Sequence, residues 1–420
     1  MKPVRDPAVP PFVNQFQRVD SYAEINEIMR SPDFHQGGAP ERRTFFDGTL
    51  IFAEGKEHSD QKQQFANVMS RQALAYYELN LLQPVIDKVI EELKESRGRD
   101  GLIRADVVAL VKIMLNRISA AVTGVDGVDT PAGTERFKNL VIKLGEATAG
   151  QFTTLNKNLV VEEGKEALQS LVNEFLQPSL DRRIELVRKF KAGEFEKEHL
   201  PRDMLTTLCL HDDLSRPDDD QKIPYVWRQC SLFLTAAIQT TTHTLPHVIV
   251  HLEEWFSEHP EDREKAIDPE FVRKAAAESL RLHQTSPVKF RIAAKDVTLS
   301  TGRQVAEGEM VALFAPPANL EPGLFGDDAR YFNPYREVPK GMAPWGLTFG
   351  SGVHMCLGQN LVTGIRGKGD EKFGTHGTMV RIVKTLYDLG AELDPENPPK
   401  RMSVSYHDTF ESVPIILRQL

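Results

Sequence analysis

Residues 349–361 read FGSGVHMCLGQNL, with one cysteine, Cys356, set among three glycines just ahead of a predicted helix start. Glycine lets a backbone turn sharply and approach a large flat partner, because no Cβ stands in the way. A thiol beside a helix amino terminus has its thiolate favoured by the partial positive charge there. Such a thiolate serves as a nucleophile or a metal ligand. The plainer alternative is a small buried hydrophobe, since free cysteines are among the most buried residues.

Outward from this loop the pattern changes on both sides. After about residue 290 short apolar runs alternate with polar residues, as in KDVTLSTGRQVAEGEMVALF (295–314), which predicts hairpins, and a loop rich in Pro and Gly follows up to residue 352. From about 60 to 285 apolar residues recur every three or four positions, predicting helix after helix, with breaks at GVDGVDTPAG (124–133) and DDLSRPDDDQK (212–222). One of these helices, YVWRQCSLFLTAAIQTTTHTLPHVIVHLEEWF (225–256), is apolar around most of its circumference and should lie buried. Its middle is polar, QTTTHT (239–244), and Pro246 removes a backbone donor just beyond. Nearer the start, SYAEINEIMRSP (21–32) opens on Ser21 and stops at Pro32 as a short amphipathic helix does. No repeat and no linker is visible, so one domain over 1–420 is the simplest organisation.

Of 420 residues, 40% are hydrophobic and 26% charged, which excludes a disordered, collagenous or coiled-coil chain. A net charge of -9 argues against nucleic acid as the main partner. Cys209, Cys230 and Cys356 are odd in number and far apart, excluding a disulfide framework and a CxxC zinc site; a reducing, cytoplasmic setting is expected. No apolar run is long enough for a signal segment or a bilayer span, so no membrane anchor is expected.

Phe349, Gly352, Cys356 and Gly358 match F-x-x-G-x-x-x-C-x-G, and the segment resembles the haem-binding loop of the cytochrome P450 family. The resemblance implies a mainly α fold with a small β region, its helical body at about 60–285 and its β-rich ligand-loop region at about 286–420. In that fold haem lies between a long distal helix and the cysteine loop. It implies Cys356 as the axial thiolate ligand of heme b (iron protoporphyrin IX), a ligand that pushes electron density toward the iron. His354 stands where the family commonly places a propionate contact.

Other blocks follow in the family's order. Glu278 and Arg281 form an ExxR pair in a helix opening on Asp268 and Pro269, and the SPV and R-x-A-x-x-D-V text after it is similar to the family's. Their implied role is a buried charge pair bracing the ligand loop, although i,i+3 pairs are usually solvated and a second ExxR, Glu270 to Arg273, lies upstream. Arg291 is an implied propionate partner. His58 matches the family's propionate-binding histidine, with Lys62 in place of arginine, which keeps the charge and loses the bidentate fork.

In the long helix, Ala236 to Thr240 are similar to the family's [AG]-G-x-[DE]-T. Thr240 is therefore implied to hydrogen-bond oxygen and the waters that deliver protons, against the alternative of bonding back to a carbonyl one turn earlier. Gln239 replaces the usual carboxylate, and an amide does not relay a proton through an ionised state. After the cysteine, Val362 and Thr363 replace the family's Ala-Arg, and the Gly-rich basic insert GIRGKGDEKFGTHG (364–377) is expected to be a mobile loop, either inert or an electrostatic guide for an acidic iron-sulfur donor.

Phe45, Phe46, Phe52, Ala237, Ile238, Val288, Phe290 and Phe410 are apolar pocket candidates by position, implying a small hydrophobic organic substrate; each aromatic also suits plain core packing. The expected activity is a haem-thiolate monooxygenase that uses O2 for hydroxylation or oxidative dealkylation. Its electrons would come from a separate donor, a ferredoxin plus reductase. The alternatives are a peroxide-driven peroxygenase, favoured by Gln239, a haem sensor or carrier without turnover, and a helical interaction protein without cofactor.

Overall fold

The apolar text of 225–256 folds as one helix of 34 residues, Tyr225–Glu258, with Pro246 inside it. Its threonines cover part of their own polarity by bonding back one turn: Thr235 Oγ1 donates to the Ser231 carbonyl at 2.6 Å, and Thr244 Oγ1 to that of Thr240 at 3.0 Å. Leu234, Ile238, Leu245, Val248 and Leu252 are buried, as the all-round apolarity predicts.

The computed structural model describes residues 2–5, 8–211, 214, 223–366 and 374–419. The chain packs as two compact units. The first comprises Met1–Gly38, Lys88–Val111 and Thr240–Leu420, and the second Ala39–Asp87 and Lys112–Gln239.

In the first unit a four-stranded sheet runs in the order Gln17–Val19, Met310–Phe314, Val288–Ala293, Phe34–Gln36. Gln17–Val19 is parallel to Met310–Phe314, while Val288–Ala293 is antiparallel to both its neighbours. That register sets Arg291 opposite Gln36 on one side and Val311 on the other. Ile25, Ile28 and Met29 of the predicted helix, Tyr22–Arg30, share a core with Leu313 of the sheet and with Leu347 ahead of the ligand loop. Ser21 occupies the cap position as expected, with no bond from its side chain to the first turn. A three-stranded antiparallel sheet, Ile103–Asp106, Pro414–Leu417, Ala391–Leu393, ties the last strand to the middle of the chain.

The second unit is almost all helix. The break at 124–133 is where the helix Val107–Thr123 ends and Pro131–Thr148 begins, with Thr130 capping Pro131–Thr148 through its side chain. Pro131–Thr148 packs on Lys157–Leu171 so closely that a Cβ on Gly164 would lie 2.1 Å from that of Ala147. The break at 212–222 lies outside the described residues apart from Leu214, and so does the centre of the insert 364–377, residues 367–373. Where the insert is described, Ile365 and Thr375 face one another in an antiparallel bridge. No helix among the described residues is long and apolar enough to cross a membrane.

Candidate functional site

The ligand loop is shaped by its glycines and its own backbone. The Cys356 N–H donates to the Phe349 carbonyl at 2.9 Å, and that of Met355 to Gly352 at 3.2 Å, closing a tight turn. Gly352 has φ +72°, and a Cβ there would lie 2.3 Å from the Met29 carbonyl oxygen, so only glycine fits. The Cys356 sulfur accepts hydrogen bonds from the backbone N–H groups of Gly358 and Gln359. The residue is exposed on one side and enclosed by protein on the others. That enclosure pushes its pKa above the ordinary thiol value, while the two N–H groups and the charge of Lys289 pull it down. The following helix, Gln359–Thr363, has five residues. The expected helix-terminus effect therefore comes down to those two N–H donors.

Behind the loop stands a network of buried charge. Glu278 and Arg281, on Pro269–Leu282, pair through two bonds, Nε to Oε2 at 2.8 Å and Nη2 to Oε1 at 2.7 Å, and the Arg281 side chain is 0% exposed. Arg336 adds a third arm, its Nε donating to Glu278 Oε1 at 2.8 Å and its Nη1 to Asp328 at 2.6 Å. Arg281 Nη1 also donates to the Asn319 carbonyl at 2.6 Å. The Asn319 side chain in turn bonds the Arg281 carbonyl at 3.0 Å and accepts from the Leu347 N–H at 2.9 Å, two residues before Phe349. Thr348 Oγ1 donates to the Leu280 carbonyl at 2.7 Å. The ExxR helix thus holds the entry to the ligand loop through Asn319 and Thr348. Sequence reasoning missed Asn319, Thr348 and Arg336, which lie 38, 68 and 58 residues from their partners Arg281, Leu280 and Glu278, with no periodic signal joining them.

The second ExxR pair has its own work. Glu270 and Arg273 form the expected partly exposed bridge, but Arg273 also donates to the carbonyls of Thr363 and, at 3.2 Å, Thr375. It clamps the two ends of the insert that follows the ligand loop.

A cysteine presented to open space by a glycine turn, with N–H donors toward its sulfur and buried arginines behind it, can serve as a thiolate ligand. The cytochrome P450 family model matches residues 29–363. The chain belongs to the cytochrome P450 family. Among the curated relatives of this P450, the cytochrome P450 YjiB of Bacillus subtilis (strain 168) is 23% identical over 356 residues, covering 83% of this chain and 78% of the relative. CYP199A2 of Rhodopseudomonas palustris (strain ATCC BAA-98 / CGA009) is 32% identical over 184 residues, 44% of this chain and 39% of the relative. Among solved structures, HmtT, involved in himastatin biosynthesis, superposes with a TM-score of 0.68 at 18% identity, covering 99% of this chain and 95% of the other. P450BioI, crystallised with hexadec-9Z-enoic acid ligated acyl carrier protein, gives 0.67 at 18% identity, over 95% and 91%. Those likenesses show the fold: mainly helical with small sheets.

The family uses heme b with an axial cysteine thiolate, and the residues of this P450 fit it. The donor is a sulfur already carrying two N–H bonds, and Val353 and Met355 stand exposed beside it as apolar neighbours for a flat macrocycle. Phe349 is half-buried, its ring edge-on to Trp345 at 5.4 Å. His354 is half-buried in the same loop, and Gly358 caps the short helix. Arg291 is buried, its Nη1 donating to Gln36 Oε1 at 2.5 Å and to the Phe290 carbonyl at 2.8 Å.

In the second unit His58 is buried and Lys62 half-buried one turn later on Gly55–Gln64, so the pair shares a face as the spacing predicts. Within the long helix Ala236 is exposed and Ala237 half-buried between the buried Thr235 and Ile238, which leaves small side chains along an open strip. The Gln239 amide lies against the helix Pro131–Thr148: a Cβ on Gly145 would come 1.6 Å from its Nε2. Thr240 is half-buried.

The pocket candidates are buried apart from Ala237. Phe45 and Phe46 are the buried residues of the helix Pro40–Phe46, and Arg43 stacks on Phe52 at 4.4 Å. Phe290 packs on Phe12 and Phe16, with centroids 6.1 and 5.1 Å apart, while Phe410 packs on His247 at 4.8 Å and lies under Arg401. Val288 lies in the sheet. Phe290 and Phe410 thus pack against other side chains of the first unit.

Proposed function

We propose that this P450 monooxygenase inserts one oxygen atom from O2 into a small hydrophobic organic substrate, by hydroxylation or oxidative dealkylation. The observation that carries the reading is the Cys356 sulfur with its two N–H bonds, on a loop whose entry is anchored to the Glu278–Arg281–Arg336 network. Bound there, the haem supplies oxygen activation. The protein's part is to favour the anionic sulfur, through those N–H groups and Lys289 acting against the raising effect of burial, and to hold the loop in place.

Thr240 and Gln239 are the proposed proton-handling residues. A hydroxyl both donates and accepts, so Thr240 orders water without changing charge. Gln239 anchors its amide against Gly145 and leaves proton transfer to Thr240 and water. Phe45, Phe46, Phe52, Ala237, Ile238, Val288, Phe290 and Phe410 are proposed to supply the apolar walls, and His58, Lys62, Arg291 and His354 the propionate contacts. Electrons are assigned to a separate ferredoxin and its reductase. The unpaired Cys209, Cys230 and Cys356 support a reducing, cytoplasmic setting.

Two measurements test this. The ferrous carbonyl complex should absorb as a thiolate-ligated haem does, and a globin-like spectrum would overturn the cysteine assignment. Turnover of a compound that shifts the iron spin state, driven by O2 with a ferredoxin and reductase, should exceed turnover with peroxide alone. The reverse ranking makes the protein a peroxygenase, and no turnover by either route makes it a carrier.

A further inference from the structure

Pro246 gives the long helix a weak turn just past Thr240. Proline has no N–H, so the carbonyl of Thr242 loses the bond that an α-helix would make there, and the ring crowds the same carbonyl. Such a turn is where a helix bends unless something holds it.

A segment near the carboxyl end lies along this turn. The strand Phe410–Ser412 pairs antiparallel with Lys400–Arg401, and the residues just before Phe410 reach the long helix one after another. The His407 ring lies 5.1 Å from that of His243, and Thr409 Oγ1 donates to the His243 carbonyl at 3.3 Å. That carbonyl is next to the one Pro246 deprives. One turn on, the Asp408 carbonyl lies 2.9 Å from His247 Nε2 and the Phe410 ring 4.8 Å from the His247 ring. A carbonyl only accepts, so Nε2 of His247 carries the proton and donates it.

The Asp408 side chain is more than half exposed, yet both of its carboxylate oxygens are held. Oδ2 lies 2.5 Å from His283 Nδ1, and Oδ1 accepts from Arg401 Nη1 at 2.5 Å. His283 ends the ExxR helix and stacks on His247 with centroids 3.8 Å apart, while Arg401 lies over the Phe410 ring at 4.1 Å. The other side of His283 is fixed as well: its Nε2 is 3.2 Å from His251 Nε2, and His251 Nδ1 is 3.1 Å from Ser279 Oγ. Burial works to raise the Asp408 pKa, but the His283 hydrogen bond and the Arg401 charge hold it below the ordinary carboxylate range. An ionised carboxylate bridging two donors is a firmer tie than a neutral hydrogen bond.

We infer that Asp408 is a positioning residue: through His283 and Arg401 it fastens residues 407–410 onto the turn that Pro246 weakens, and so holds Thr240 in place from the carboxyl side. The segment is a splint on the long helix, and Asp408 is its fastening. The consequence for turnover rests on the proposed proton-handling role of Thr240; the splint itself does not.

The test is amide exchange read by mass spectrometry on the haem-loaded full chain. Asp408→Ala should speed exchange across residues 241–250 about tenfold or more, because the charge-assisted bonds and the contacts they secure are lost together. Asp408→Asn keeps an oxygen that accepts from one of the two donors and should fall between wild type and Asp408→Ala. Thr409→Val loses only the hydroxyl bond to His243 and should show a smaller change in the same direction. Asp388→Ala, which breaks an exposed pair with Lys384 elsewhere in the first unit, should leave 241–250 unchanged. The ferrous carbonyl spectrum reports that each variant holds its haem correctly. In turnover, Asp408→Ala should lose more electrons to peroxide, and Thr240→Ala/Asp408→Ala should lose no more than Thr240→Ala alone. Wild-type exchange in Asp408→Ala would overturn the splint, and additive losses in the double variant would overturn its action through Thr240. Normal coupling in Thr240→Ala would sink the reading of Thr240 instead, and amide exchange then decides for Asp408.

Discussion

Arg336 donates to the same carboxylate oxygen of Glu278 that Arg281 Nη2 reaches, at 2.8 and 2.7 Å, so one buried anion is shared by two buried cations. The excess charge is balanced by Asp328, which takes the outer side of Arg336. A buried carboxylate between two guanidinium groups is bound far more firmly than an exposed i,i+3 pair, and removing one member leaves an uncompensated charge.

Glu278→Gln and Arg281→Ala should therefore each cost about 3–5 kcal/mol and yield protein with little or no haem. Arg336→Lys keeps the charge but loses the fork that reaches Glu278 and Asp328 together, so it should fall between wild type and Arg336→Ala. Haem-to-protein ratio and melting temperature check the order. Normal haem content in Arg281→Ala would disprove the bracing role.

Arg273 gives the contrasting case. Its loss frees the carbonyl of Thr363 and removes one of the two donors to that of Thr375, which keeps the Ile365 N–H, at about 1–3 kcal/mol. Arg273→Ala should retain its haem and its carbonyl spectrum while becoming easier to cleave by protease within 364–377. Loss of haem equal to that of Arg281→Ala would mean that the two ExxR pairs are not distinct in role.

At Gly352 any side chain meets the Met29 carbonyl in a backbone conformation that L-residues rarely adopt. Gly352→Ala should displace the ligand loop and sharply reduce haem loading, although Ala is the smallest possible addition. Gly350, also at positive φ, has nothing closer to its would-be Cβ than Met29 Sδ at 3.9 Å, so Gly350→Ala should be milder. Equal loading in the two variants would sink this reading.

Gly145 is a helix-interior glycine, where alanine ordinarily gains about 1 kcal/mol. Here the added Cβ would strike the Gln239 amide, so Gly145→Ala should move that side chain. The fraction of electrons lost to peroxide should then change as it does in Gln239→Ala, and Gln239→Glu should alter it as well. Unchanged coupling in all three variants would remove Gln239 from proton delivery.

Glu24 accepts from Arg303 Nε and Nη2, both at 3.0 Å, and also from Thr301. The Arg303 hydrogen bonds hold its carboxyl below the ordinary 4.5, with Thr301 and the Arg303 charge adding to them against a smaller opposing effect of burial. A folded-state pKa below the unfolded one gives stability that is fully present above the unfolded value and lost as pH falls through the folded one. Urea titrations should show wild type more stable than Glu24→Gln near neutrality, the gap closing in acid below 4.5. A gap independent of pH would mean that the ionised carboxylate is not what stabilises.

Much of the fold was legible because its signals are local. The length and all-round apolarity of 225–256 made a buried helix, and Asp268 with Pro269 marked the start of the ExxR helix, where the Asp268 side chain indeed accepts from the Glu270 N–H. The motif around Cys356 was readable for the same reason: a turn that needs glycine, and a sulfur that needs nearby N–H groups, must be encoded within a few residues. The helix expected after Gly358 proved to be one turn long, ending at Thr363, since Gly364 at φ +76° reverses the chain beside Thr375 and His376.

By itself the sequence determined the helical body, the glycine turn around Cys356 and the family, because periodicity and short-range spacing are properties of neighbours along the chain. Only the tertiary structure decided that Arg336 completes the charge at Glu278, that Arg273 clamps the insert, that Gln239 rests on Gly145, and that His247, His283 and Asp408 converge. Each of those joins residues dozens of positions apart, and the energy of a buried charge or a close contact depends on distance in space, which one-dimensional order does not contain.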